Sequence, residues 1–122
     1  MNQAKQTNPH FGDIFYAKLT GGEHIQSGIR PVVIAQNDVG NRYSHTVEVI
    51  PMSTRIHKAS YMPTHVLIHP DRQNGLQMPS VVLAEQVVTI NQKDLINQIG
   101  RLNEDAIKMI GQARKIQSPF LA

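Results

Sequence analysis

The segment GIRPVVIAQNDVGNRYS, residues 28–44, joins an apolar run to a cluster of turn formers. Pro31-Val32-Val33-Ile34-Ala35 is rich in β-branched residues and apolar on both faces, the pattern of a strand with partners on either side. Pro31 has no N–H to give to a ladder, so the pattern places it at the strand start or at a bulge. Asn37-Asp38 and Gly40-Asn41 then read as turn residues. Arg30 stands immediately before the apolar run. A guanidinium does not enter a core unpaired, so Arg30 belongs at a rim, where its fork can hold a phosphate through parallel N–H bonds, or in a surface ion pair.

Working outward, Asp13–Leu19 alternates, with Phe15, Ala17 and Leu19 on one face and Ile14, Tyr16 and Lys18 on the other. Residues 20–28 form a loop holding three glycines. Thr46–Met52 is a strand, and Ser53–Pro63 a polar, basic connection. His65–His69 is a short strand, and Pro70–Pro79 a loop around Asn74-Gly75. Val81–Ile90 is the longest strand candidate, interrupted by Glu85-Gln86. Asp94–Leu102 reads as a helical turn followed by a short strand. Asn103 is an N-cap for a helix whose Ala106, Ile107, Ile110, Ala113 and Ile116 share a face, with Pro119 as its stop. Gly111 inside that helix costs about 1 kcal/mol against Ala and would suit a close approach to the sheet. The pattern is mainly β with a C-terminal helix: a small β-barrel or curled sheet capped by the helix.

The 122 residues suit one domain. Residues 1–11 are read as a flexible polar arm and 12–122 as the domain, with order beginning near Phe11-Gly12. Charged residues are 17% of the chain, too few for a disordered, self-repelling chain. The net charge of +3 is compatible with a polyanionic partner. Cysteine is absent, which excludes a disulfide scaffold, a thiolate nucleophile and thiolate zinc sites, and suits a reducing cytoplasm. No apolar run approaches the ~20 residues that span a bilayer, and the first residues carry no secretory signal; a cytoplasmic location and no membrane partner are expected.

Four places can carry chemistry. Arg30 is the first. Ser53-Thr54-Arg55, just past a strand end, is the second: hydroxyls and open backbone N–H groups there can bind a phosphoryl oxygen. Glu85-Gln86 is the third, since an amide and a carboxylate can read base edges. His24, in the loop before Arg30, is the fourth, with the pKa for proton transfer. Tyr43 and Tyr61 are candidate stacking residues, although 5% aromatic content argues against a broad stacking platform. His65 and His69, four apart on a strand, stand roughly 13 Å apart and would not share one metal ion. Neither a phosphate-binding glycine fingerprint nor a nucleophile-elbow serine is present. No metal or other cofactor is expected.

The order of these motifs is specific. Gly12-Asp13-Ile14-Phe15, the 28–44 segment, Pro63-Thr64-His65-Val66, residues 80–90 with Glu85-Gln86, and Ile99-Gly100-Arg101-Leu102 together resemble the MazF/PemK (Kid-like) toxins of bacterial toxin–antitoxin systems. The resemblance spans about Gly12 to Ile116. It implies an SH3-like barrel and a homodimer. It implies an mRNA interferase: metal-independent, ribosome-independent, sequence-specific cleavage of single-stranded RNA. It also implies a cognate antitoxin whose acidic segment covers the RNA groove. The family's essential arginine falls on Arg30, its hydroxyl on Ser53 with Thr54 next, and its Glu-Gln pair on Glu85 and Gln86. Gln26 matches the loop motif. The family's loop acid is replaced here by Ile25 or displaced to Glu23, which turns attention to His24. The resemblance thus makes Arg30, Ser53 and His24 the catalytic candidates, and Gln26, Thr54, Glu85, Gln86 and Tyr61 the substrate-binding ones. Two other readings stay open: a gyrase poison of the CcdB kind on the same fold, and a catalytically weak paralogue that only binds antitoxin or nucleic acid.

Overall fold

The computed structural model describes residues 7–23, 25–56 and 62–121. Its seven strands are β1 (Asp13–Leu19), β2 (Gly28–Ile34), β3 (Thr46–Ser53), β4 (His65–Ile68), β5 (Ser80–Leu83), β6 (Val88–Asn91) and β7 (Leu95–Arg101). Two helices, α1 (Asp38–Tyr43) and α2 (Glu104–Gln117), complete the core elements. The strands form one antiparallel sheet in the order β4-β5-β3-β2-β1-β7, with β6 also paired to β3. The sheet curls without closing, since β4 and β7 at its ends do not pair with each other. The expected barrel is therefore open, and the 70–79 loop and α2 fill the gap. Gln73 O accepts from Arg101 N at 2.9 Å, and Gly75 (φ +70°) lies so close to the Ile99 carbonyl that a Cβ would overlap it.

The middle of the sheet is buried on both faces, which is why Ile14-Phe15 of β1 and Val32-Val33-Ile34 of β2 are consecutive apolar residues. One core holds Ile14, Val33, Ile50, Met52, Val82 and the α2 residues Ala106, Ile110 and Ala113. The other holds Phe15, Ala17, Val32, Ile34, Val47, Val49 and Leu95. β3 serves both halves. Its first residues pair with β6, its middle with β2, and its last two, Met52 and Ser53, with Val82 and Val81 of β5.

Several elements differ from the sequence reading. Residues 38–43 form a short helix rather than a turn, because the Asn37 side chain caps Gly40 N at 2.8 Å. The long strand 81–90 is two strands: Gln86 N closes a turn onto Leu83 O at 2.8 Å, and β5 and β6 pair with opposite ends of β3. A 3-10 turn at Gln92–Asp94 precedes a full seven-residue β7. In α2 the Asn103 cap is present, bonding Ala106 N at 2.8 Å. Ile116, expected on the buried face, is 56% exposed, because α2 overruns the sheet in its last turn. Gly111 faces open space, so no close approach demands it. Pro31 sits inside β2, opposite Tyr16 of β1, rather than at its start. This is tolerated because β3 pairing begins only at Val32, leaving no ladder bond on that side for Pro31 to lose. The chain is also held earlier than Phe11: Pro9 is fully buried, and His10 N bonds Asp13 Oδ2 at 2.9 Å.

Candidate active site

The site begins where β2 and β3 part. Their ladder runs Ile34↔Val49, Val33↔Ile50, Val32↔Pro51 and then stops. Two residues past the last pair on each strand stand Arg30 and Ser53, facing one another across the split. Pro31 cannot extend the ladder, and the end of β3 turns instead to β5. The parted strands leave an open cavity of about 360 Å³ lined by Arg30, Ser53, Arg55, Gln26, Glu85 and Gln86, with Glu23 and His65 also on its walls.

Arg30 is half-buried. Its Nε donates to Ser27 O at 2.7 Å, which fixes the guanidinium plane. Among the described residues no carboxylate lies within ion-pair distance of it and none accepts from its Nη atoms, so the outer edge of the fork is left for a ligand. Ser53 is buried, and its Oγ accepts from Arg55 N at 3.2 Å. The Ser53 hydroxyl hydrogen is thus uncommitted to that bond and can be donated to a phosphoryl oxygen. Arg55 adds a second cation to the same wall.

Across the cavity, the turn between β5 and β6 presents Glu85 and Gln86. Glu85 is gripped by two donors: Thr64 Oγ1 bonds Oε1 at 3.1 Å, and His65 Nε2 meets Oε2 at 2.9 Å. The β4–β5 register, His65↔Leu83, delivers both donors to the carboxylate two residues farther on. Each carboxylate oxygen keeps a lone pair, so Glu85 can still accept from a substrate N–H. Gln86 Oε1 accepts from Gln26 N at 3.1 Å, which ties the β1–β2 loop to the β5–β6 turn.

Of the residues singled out by sequence, Arg30, Ser53, Gln26, Glu85 and Gln86 converge on this cavity. Thr54 is exposed and does not line it; its neighbour Arg55 does. Tyr43 lies away from it, 72% exposed, with the Arg42 guanidinium 5.4 Å from its ring centre. His24 and Tyr61 lie outside the described residues. Glu23, the alternative place for the family's loop acid, is on the wall. His65 is not a sequence candidate for this site: in the sequence it stands out only within the Pro63–Val66 motif and as a rejected metal ligand, since its pairing with Glu85 depends on a cross-strand register that its neighbours do not signal.

Residues 10–117 match the family model described as PemK-like, MazF-like toxin of type II toxin–antitoxin system. The chain belongs to that toxin family. The toxin is 39% identical over 108 residues to endoribonuclease EndoA of Bacillus subtilis, covering 86% of this chain and 90% of that one. Among solved structures, it is similar to Mycobacterium tuberculosis toxin MazF-mt6, with a TM-score of 0.71 and 30% identity over 86% of this chain and 94% of the other. It shares its fold with Deinococcus radiodurans MazF, with a TM-score of 0.75 and 19% identity over 91% and 96% of the two chains. No helix among the described residues is long and apolar enough to cross a membrane.

Proposed function

We propose that this toxin is a metal-independent, sequence-specific endoribonuclease of single-stranded RNA, an mRNA interferase. It acts in the cytoplasm as a homodimer and is held in check by a cognate antitoxin. The observation that carries this reading is the Arg30 fork, fixed through Nε, with no described carboxylate within ion-pair distance, facing Ser53 across one cavity. That is an anion site with donors set in place before the ligand arrives. The related enzyme of Bacillus subtilis is an endoribonuclease by name, and the cation pair Arg30 and Arg55 suits a phosphodiester.

In this mechanism the ribose 2′-OH attacks the adjacent phosphorus. The 2′-O–P bond forms and the P–O5′ bond breaks, giving a 2′,3′-cyclic phosphate and a 5′-OH end. Charge gathers on the non-bridging oxygens, where Arg30 and the Ser53 hydroxyl meet it. Arg30 acts by electrostatic stabilisation, since a guanidinium holds its proton too firmly to serve as an acid. His24 is assigned the proton transfer, taking the 2′-OH proton as the 2′-O–P bond forms and returning it to O5′ as the P–O5′ bond breaks. Gln26, Glu85, Gln86 and Tyr61 hold the flanking nucleotides. Single-stranded RNA of defined sequence, incubated with the protein and a chelator, tests the reading. Cut ends bearing cyclic phosphate, abolished by Arg30→Ala, support it. DNA breaks that require gyrase, or binding without cleavage, overturn it.

A further inference from the structure

A second cavity, of about 350 Å³, lies on the far side of the β1–β2 loop from the first. The two share Ile25, Gln26 and Gln86, so the Gln26–Gln86 hydrogen bond is a common wall and the cavities form one trough. Their chemistry differs. The first sets Arg30, Arg55 and the Ser53 hydroxyl opposite the carboxylates of Glu23 and Glu85. The second is floored by Leu19, Val88 and Ile90, apolar surfaces suited to the face of a ring. Its polar groups include Asn91, just before the 3-10 turn, Asp94, the last residue of that turn, and the exposed Lys18. Neither the Asn91 side chain nor the half-buried Asp94 carboxylate is hydrogen-bonded to another described residue. A carboxylate partly withdrawn from water wants an N–H donor.

We propose that this second cavity is a nucleobase subsite. It takes a base flanking the scissile phosphate and selects one that carries an exocyclic amino group over uracil. The inference rests on the ribonuclease reading above. The phosphate sits at Arg30, the neighbouring base passes over the Gln26–Gln86 wall, and its ring lies on Leu19, Val88 and Ile90. Asp94 accepts only, so it pairs with the exocyclic amino group of adenine, cytosine or guanine; uracil offers it only N3–H, set between two carbonyl oxygens that it repels. Lys18 meets the next phosphate. An RNA strand is favoured over a protein segment because the cavity continues directly from the anion site across shared walls.

The test uses the full-length protein and a panel of short RNAs carrying the mapped cleavage sequence. In each, one position near the cut is abasic or uracil. Cleavage is measured as kcat/KM, and binding by anisotropy on copies with 2′-deoxyribose at the cut. In the wild-type protein, removing the base at one flanking position lowers kcat/KM and affinity about tenfold or more. Asp94→Asn, whose amide can also donate to a carbonyl, lowers the preference for an amino-bearing base over uracil there at least threefold, and the gap between the amino-bearing and the abasic RNA narrows with it. The proposal is overturned if no flanking base matters, or if Asp94→Asn slows every RNA equally. Binding that keeps the base dependence without cleavage of any RNA sustains the subsite and removes the nuclease reading instead.

Discussion

Replacing Arg30 isolates the group on which the chemistry depends. Its side chain makes one described hydrogen bond, Nε to Ser27 O at 2.7 Å, and contributes little to either core. Its backbone is paired with Ala17 of β1, a position where alanine is acceptable. Stability of Arg30→Ala should therefore stay within about 0.5 kcal/mol of wild type. Activity should fall far more. Loss of one pre-set donor to a developing oxyanion costs about 3–4 kcal/mol, a factor of roughly 10² to 10³ in kcat. Arg30→Lys separates charge from geometry. A single ammonium cannot both hold the Ser27 carbonyl and present a two-pronged edge to the phosphate, so cleavage should remain at least about tenfold below wild type. The assay is single-turnover cleavage of a fluorophore–quencher RNA, with thermal melting followed by circular dichroism. A folded Arg30→Ala protein cleaving within threefold of wild type would refute the assignment.

Other perturbations follow from the same geometry. Gly111 faces open space in mid-helix, so Gly111→Ala should stabilise the fold by about 1 kcal/mol, raising Tm by about 4 °C. Gly75→Ala should do the opposite: it imposes a left-handed residue and a clash with the Ile99 carbonyl, and a melt unchanged from wild type would contradict the packing described. Asn103→Ala removes the α2 cap and should cost about 1 kcal/mol in denaturant unfolding. The Phe11 N–H, 2.7 Å from Asp38 Oδ1, holds that carboxylate below its ordinary range. The stabilisation is present in full above the unfolded-state pKa of about 4 and is lost as pH falls through the lower folded value. Asp38→Asn should flatten this part of the acid-unfolding curve, and an identical curve would contradict it. His24→Ala should lower cleavage at least tenfold and alter its pH profile; unchanged kinetics would remove His24 from the mechanism.

Much of the fold is written locally. β1 runs over the predicted seven residues because no turn former interrupts it, and α2 begins where Asn103 can cap it. The errors arise where long-range pairing overrides local pattern. Residues 81–90 look like one strand, but β3 offers a partner at each end and none through Glu85-Gln86, so the run folds in two. Pro31 reads as a boundary until the pairing shows that one side of β2 is bare at that point. The candidate site follows the same division. Arg30, Ser53 and Glu85-Gln86 betray themselves as polar residues set against apolar runs. His65 does not, because only the β4–β5 register brings it within 2.9 Å of Glu85.

The parting of β2 and β3 has a consequence for how substrate is received. The gap is cut by an imino acid, a covalent feature of the chain, and not by a lid that swings. An incoming strand therefore meets an aperture that is already there and spends none of its affinity prising hydrogen-bonded neighbours apart. Discrimination must then come from the fit of the occupant itself. Exchanges in the 20–27 loop and the 84–87 turn could retune it while the frame beneath stays as it is.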